Sequence, residues 1–317
     1  MRFLVVGAGA LGGYFGGRLL AAQRDVTFLL RPRRAAQIAR TGLVVRSAMG
    51  DLHLAAPRHV LSEDIDAPYD VVIVGCKAYD LAETMDSFAA AVGPDTVVLP
   101  VLNGMAHVDQ LADRFGRDKV LGGYCMISAT LDDEGSVVHI GDMHALTFGE
   151  LDGSASARVA AIAAEFEGTR CDAKASTTIL QEMWEKWVFI ASLAGITSLM
   201  RATVGDIVAA GGKDVALALF DECSAIAAHH GFAPRPAAIE RGHAILTTVG
   251  SPLTASMYKD VARGAAVEAD HILGDLLRRA PAASSNAGPS VLRTAYAHLK
   301  AYEAQRTRLA SAAAATT

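Results

Sequence analysis

The chain has 317 residues, 51% of them hydrophobic, and a formal net charge of −5. That length and apolar content suit two domains with filled cores, and the acidic balance excludes a broad nucleic-acid-binding surface. Cys76, Cys125, Cys171 and Cys223 are scattered without a C-x-x-C pair or metal-ligand spacing, so they are expected to be buried thiols in a reducing compartment, with no metal site.

Arg2 to Val6 reads as a short apolar strand that runs into Gly7-Ala8-Gly9-Ala10-Leu11-Gly12, then a helical run to Ala22 and a second strand, Val26 to Leu30. G-x-G-x-x-G between a strand and a helix is the dinucleotide-binding fingerprint in its required setting. Gly7 permits the tight turn, Gly9 lets backbone approach a pyrophosphate, and Gly12 lets helix and strand pack closely. The helix N-terminus offers free N–H groups to the phosphates. Two competitors share part of the pattern: a glycine-rich turn in an ordinary α/β protein, and a methyltransferase using the same loop for S-adenosylmethionine.

The end of the second strand selects the cofactor. NAD-binding domains usually place Asp or Glu there, to accept from the ribose 2′-hydroxyl. Here it carries Arg31, the first candidate by its strand-end position, with Arg33 and Arg34 close behind and ranked below it. A guanidinium matches a phosphate with two parallel hydrogen bonds and a carboxylate would repel one, so the sequence favours NADPH over NADH. A solvated basic loop is the plain alternative.

The apolar start, Phe3 to Ala22, imitates a signal peptide or a membrane span, but its glycines explain it and no basic leader precedes it. Trp187 to Met200, bounded by Lys186 and Arg201, is too short to cross a bilayer and reads as a buried helix. A cytoplasmic protein without a membrane partner is expected.

Residues 43 to 46 and 52 to 54 read as a small hairpin inserted into the sheet. Val71 to Val74 is a continuous apolar run ending at Gly75-Cys76-Lys77, the pattern of a parallel strand buried on both faces. A helix from about Asp80 to Ala91 leads to a second such strand, Thr96 to Leu102, ending in Asn103-Gly104. The alternation predicts a Rossmann-like, doubly wound parallel sheet with ligands at the carboxyl ends of its strands, where Lys77 and Asn103 fall. Between Val120 and Glu150 short strand-like runs predict antiparallel extensions of that sheet, and another strand is expected near Thr169 to Asp172. From about Ser176 only helical periodicity remains, in 179 to 200, 213 to 230, 254 to 280 and 289 to 303. The predicted organisation is an α/β domain at 1–173, an all-α C-terminal domain at 174–306, and a low-complexity tail at 307–317 expected to fray.

In the helical half, Lys186 within Met183-Trp184-Glu185-Lys186-Trp187 heads an apolar helix. An ammonium buried there without a partner is expensive, so it must reach a cleft, an acid or water. Glu268, in Val267-Glu268-Ala269-Asp270, pairs with Lys186 or binds a substrate hydroxyl on this reading. None of the ten histidines has a partner at catalytic or metal spacing; His107 is the one nearest the predicted site.

In order, G-x-G-x-x-G, Arg31, the strand-ending Lys77, Asn103-Gly104-Met105, W-x-K at Trp184 to Lys186, S-M-x-x-D at Ser256 to Asp260 and R-G-x-x-x-E at Arg263 to Glu268 resemble the ketopantoate reductase (2-dehydropantoate 2-reductase) family. The resemblance covers Arg2 to about Tyr302. It implies NADPH-dependent reduction of a 2-keto acid, in pantothenate biosynthesis for ketopantoate itself, with Lys186 as general acid and Glu268 beside it. It also implies Asn103 near nicotinamide and substrate, Lys77 near cofactor or keto acid, and Ser256 near the substrate carboxylate. The helical domain would bind substrate and, in a homodimer, the second copy.

One departure stands out. The family commonly places asparagines four and eight residues after the lysine to hold the substrate; here those substrate-binding positions are Ile190 and Ala194. Ser192, Thr197 or Ser198 are candidates to compensate. The expectation is a surviving reductase with a larger or more apolar keto acid. Two other readings are a non-catalytic NADPH-sensing regulator, against which Lys186 and Glu268 speak, and a two-domain dehydrogenase acting on a hydroxy acid or polyol.

Overall fold

A computed structural model describes residues 1–281 and 290–314. The chain divides into two compact units, Met1–Leu180 and from Gln181 onward. In chain order the first contains β1 (Arg2–Val6), α1 (Ala10–Ala21), β2 (Asp25–Leu29), α2 (Pro32–Thr41), β3 (Leu43–Arg46), β4 (Leu52–Leu54), β5 (His59–Val60), β6 (Val71–Val74), α3 (Leu81–Phe88), β7 (Val97–Pro100), α4 (Ala106–Phe115), β8 (Leu121–Leu131), β9 (Val137–Glu150), α5 (Ala157–Glu165) and β10 (Asp172–Ala175).

The first sheet is parallel, in the order β5-β2-β1-β6-β7. β6 and β7 are buried at every residue, as continuous Val/Leu runs covered on both faces require. The strand order reverses at β1, so the crevice for a ligand opens beyond the carboxyl ends of β1 and β6.

The sequence pattern predicts one extended sheet; the structure has two. β8 and β9 pair antiparallel, and β9 pairs in parallel with β10 and β3, whose hairpin partner is β4. A parallel bridge, Val98 to Val120, links this second sheet to the first. The reason lies in α1, which has bare backbone on two faces. A Cβ on Gly12 would strike the Gly7 carbonyl and lie 3.2 Å from Val5 of β1, and one on Gly16 would lie 2.7 Å from a Phe28 ring carbon of β2. A Cβ on Gly13 would lie 2.8 Å from Val137 of β9, and one on Gly17 would lie 3.6 Å from Leu43 and Val45 of β3. The helix is therefore held between both sheets, and Phe3, Phe15, Val137, Leu146 and Phe148 share one core. Joining the second sheet edge-on to the first would leave that face of α1 uncovered.

β10 also begins later than the predicted Thr169. The Thr169 hydroxyl donates to the Phe166 carbonyl at 2.6 Å and Arg170 sits at φ 60, so the chain is still turning there. A boundary at 173/174 would cut through β10, which pairs with β9, and the first unit runs on to Leu180.

From α6 (Ile179–Met200) the structure is helical: α7 (Val204–Ala209), α8 (Lys213–His229), α9 (Pro236–Leu246), α10 (Ser256–Ala262), a π-helical turn (Asp270–Gly274), α11 (Asp275–Arg278) and α12 (Val291–Ala314). Glu222 of α8 caps α12, accepting from the Val291 N–H at 2.8 Å and the Ser290 hydroxyl at 2.8 Å. The expected helix start at 289 lies outside the described residues. α12 continues past 306 to Ala314, so most of the segment predicted to fray is helical; 315–317 lie outside the described residues. Among the described residues no helix is long and apolar enough to cross a membrane.

Candidate active site

The glycine loop leaves β1 with Gly7 at φ 83 and its N–H bonded to the Leu29 carbonyl at 2.9 Å. A Cβ on Gly12 would lie 2.1 Å from the Gly7 carbonyl oxygen, so glycine is obligatory there. Around Gly7 and Gly9 a Cβ would meet no atom within 4 Å, which leaves one side of the loop open. Gly9 caps α1 without a side-chain hydrogen bond, and no acid stands in the first turn. An open backbone cradle at an uncapped helix N-terminus fits a dinucleotide pyrophosphate. Ala8, Ala10 and Leu11 form its remaining backbone.

Register brings two further candidates to the same edge. Val6 pairs with Val74 and Val74 with Pro100, so the chain leaves β1, β6 and β7 side by side. A Cβ on Gly75 would lie 3.6 Å from the Gly12 nitrogen and 3.3 Å from Val101. Lys77 and Asn103, both half-buried, follow directly after these strand ends.

The basic cluster divides. Arg31 is the N-cap residue of α2 and is exposed, with its guanidinium 3.4 Å from Glu83 and 4.0 Å from Asp80. It therefore shares its surroundings with two acids, which the local sequence at 31 to 34 does not reveal. Arg34, which the sequence ranks below Arg31, is the one that touches the loop: its Nη2 and Nε donate to the Ala8 carbonyl at 2.7 and 3.1 Å. Burial lowers its pKa, and Asp132 acts in the opposite direction. Gln37 holds the Asp132–Gly135 turn by donating to the Glu134 carbonyl at 2.7 Å, so Arg34 braces the loop from behind.

In the helical unit Lys186, Ile190 and Ala194 recur every four residues along α6 and share a face. Lys186 and Ile190 are half-buried, and Ala194 is buried. Trp187, fully buried, donates its indole N–H to the Ile272 carbonyl at 2.9 Å, and the Ile272 N–H donates to the Glu268 carbonyl at 2.9 Å. Two hydrogen bonds thus connect the residue after Lys186 to Glu268. Near the far end of α6, Thr197 accepts from the Ala255 N–H at 3.3 Å and so ties down the chain just before Ser256, itself exposed at the start of α10.

The compensating hydroxyls sort clearly. Ser192 donates to Val188 at 2.7 Å and Thr197 to Leu193 at 2.6 Å, so both protons go to their own helix. Ser198 Oγ is buried and has no hydrogen-bond partner among the described residues, one turn beyond Ala194.

A polar network on the second sheet has no counterpart in the sequence reading. Tyr14 hydroxyl and His144 Nδ1 lie 3.0 Å apart, His139 packs against both rings, and Arg18 sits over Tyr14. No local spacing reveals it, because α1 and β9 meet only in the fold. Among the described residues no group of three or more His, Cys, Asp or Glu could hold a metal.

Comparison with known proteins places this arrangement. Ketopantoate reductase PanE/ApbA matches residues 3–153, and the C-terminal domain of the same family matches residues 178–303. The uncharacterized oxidoreductase YkpB of Bacillus subtilis is 36% identical over 307 residues, which cover 96% of this chain and 100% of that protein. The 2-dehydropantoate 2-reductase of Archaeoglobus fulgidus is 31% identical, with 88% of this chain and 90% of that protein covered. The crystal structure of 2-dehydropantoate 2-reductase from Geobacter metallireducens superposes with a TM-score of 0.84 at 26% identity, covering 95% of this chain and 99% of that one. With its parallel sheet, glycine loop and helical C-terminal unit, and with both family domains matched along its length, the chain belongs to the ketopantoate reductase family of oxidoreductases.

Proposed function

We propose that the protein reduces a 2-keto acid to the 2-hydroxy acid with NADPH, acting on ketopantoate or on a related keto acid with a larger or more apolar side chain. The observation that carries the reading is the pair Lys186 and Glu268, retained in a chain with a complete glycine loop and linked through Trp187 and Ile272. When bound, NADPH supplies the hydride that goes to C2 of the keto acid. The first unit holds the cofactor: backbone from Gly7 to Gly12 takes the pyrophosphate, Arg31 faces the 2′-phosphate, and Lys77 and Asn103 line the nicotinamide end. The second unit holds the substrate. The Lys186 ammonium donates a proton to the oxygen on C2, Glu268 sits beside it, and Ser256 binds the substrate carboxylate.

Ile190 and Ala194 offer a bound keto acid methyl groups where asparagines would offer hydrogen bonds. An apolar stripe selects against a hydroxylated side chain and accepts a hydrocarbon one. Assembly as a homodimer and residence in the cytoplasm complete the proposal.

The test is NADPH oxidation across a panel of 2-keto acids that includes ketopantoate, with NADH run in parallel. Turnover is expected with NADPH, and Lys186→Ala should lower it by about 10² or more while leaving NADPH affinity intact. Silence on every keto acid, or an unchanged turnover number in the variant, would remove this mechanism.

A further inference from the structure

We propose that Trp187 is a positioning residue: its indole N–H fixes the segment bearing Glu268 against the helix that carries Lys186. The proposal rests on the roles given above to Lys186 and Glu268, and its geometry is local to the helical unit.

The segment from Gly264 to Gly274 is held by its carbonyl oxygens and by Asp270. On one flank α12 supplies the donors: Arg306 Nε to the Gly264 carbonyl at 2.9 Å, and Tyr302 hydroxyl to the Ala265 carbonyl at 2.7 Å. The Asp270 carboxylate accepts from the Tyr296 hydroxyl at 2.5 Å and from Lys300 at 2.8 Å. On the other flank Trp187 donates to the Ile272 carbonyl at 2.9 Å. Glu268 lies between these anchors, and the Ile272 N–H returns to its carbonyl. The α12 bonds fix the segment to the body of the unit, whereas the Trp187 bond comes from the lysine's own helix. It therefore ties the segment bearing Glu268 directly to the helix that carries Lys186.

Local backbone geometry agrees. Residues 270–274 form a π-helical turn, in which the Asp275 N–H reaches back five residues to the Asp270 carbonyl. Such a turn widens the helix and re-aims its carbonyls; it occurs mostly as a single-turn bulge within a helix, frequently at functional sites. Trp187 is fully buried, so its N–H and the Ile272 carbonyl satisfy each other away from water. Trp184, three residues earlier, packs against the Trp187 ring at 4.9 Å between centroids and stacks on His230 and Phe232, so Trp184→Phe removes aromatic bulk beside Trp187 while keeping the Trp187 N–H. It is the natural control for loss of aromatic bulk.

The experiment uses the full-length chain with Trp187→Phe, which keeps a ring and removes the donor. Amide exchange read by mass spectrometry should accelerate about tenfold across 264–274 and stay unchanged across α8, and Trp184→Phe should leave 264–274 unaltered. With the keto acid turned over fastest by the native protein, kcat should fall about tenfold with the NADPH KM unchanged; in a Glu268→Gln background Trp187→Phe should cause little further loss. A merely structural tryptophan would give additive losses. Should Trp187→Phe fail to fold, benzothienylalanine in place of tryptophan, in the Trp184→Phe background, removes the N–H at constant shape. Native-like exchange across 264–274, or additive kinetic losses, overturns the proposal. Faster exchange in a protein that reduces no keto acid overturns the proposed function and leaves the positioning role standing.

Discussion

Gly12→Ala tests the link between packing and cofactor affinity. The new Cβ would lie 2.1 Å from the Gly7 carbonyl oxygen, 3.2 Å from the Gly7 carbonyl carbon and 3.2 Å from Val5 Cγ1. An ordinary contact requires more than 1 Å of additional separation, roughly, and the obstructing atom is backbone that no rotamer change can move. Gly7 is tied to the Leu29 carbonyl, so relief comes from lifting α1 off β1 or tilting the loop. Either movement spoils the cradle, and overpacking of this kind costs about 1–3 kcal/mol. If that strain falls on the bound conformation, NADPH Kd rises about 10- to 100-fold. Gly13→Ala is the control: its Cβ meets a Val137 methyl at 2.8 Å on the opposite face, so the melting temperature should fall with NADPH affinity within about threefold of native. Calorimetric titration with NADPH and thermal denaturation measure both. A folded Gly12→Ala protein that binds NADPH as the native one does, or equal affinity losses in the two variants, would refute the reasoning.

Arg31→Ala should weaken NADPH binding about tenfold and leave NADH binding unchanged, while Glu83→Gln, which removes a carboxylate 3.4 Å from Arg31, should raise the NADPH-to-NADH preference by a few-fold at low salt, read as the ratio of kcat/KM values. Ile190→Asn together with Ala194→Asn should raise kcat/KM for ketopantoate relative to an unbranched aliphatic 2-keto acid by about tenfold or more; an unmoved ratio would free this stripe of any part in selectivity. Glu150, 8% exposed, accepts from Arg158 at 2.7 and 2.6 Å and from Ser156 at 2.6 Å, and the Arg158 hydrogen bonds lead in holding its carboxyl below the usual 4.5. Because the folded-state pKa is depressed, this stabilisation is fully present above about pH 4.5 and is lost as pH falls through the folded value. Glu150→Gln should therefore lower stability at pH 7 by about 1–3 kcal/mol and flatten the acid limb of a urea-denaturation series.

What was legible in the sequence follows from which forces act locally. The glycine loop, β6 and β7 could be read because each is a short run whose apolar content or backbone demand is its own signal. α6 could be read to its ends, since apolar residues recur at threes and fours from Ile179 to Met200. Strand alternation in 120–150 marks strands but carries no information on which sheet they join. The answer lay in Gly13 and Gly17 of α1, whose bare face admits β9 and β3. The Trp187 bond has no sequence signal, because its partner lies 85 residues along the chain. Arg34 ranked below Arg31 because strand-end position was the criterion, whereas contact with Ala8 depends on how α2 leaves its first turn.

The glycines of α1 also bear on motion. A helix gripped through bare backbone on two sides has few side chains at those contacts to repack, so small tilts and slides are resisted. Any opening and shutting needed during turnover must be delegated to other parts of the molecule. The end of the helix proposed to meet the phosphates is held by two sheets at once.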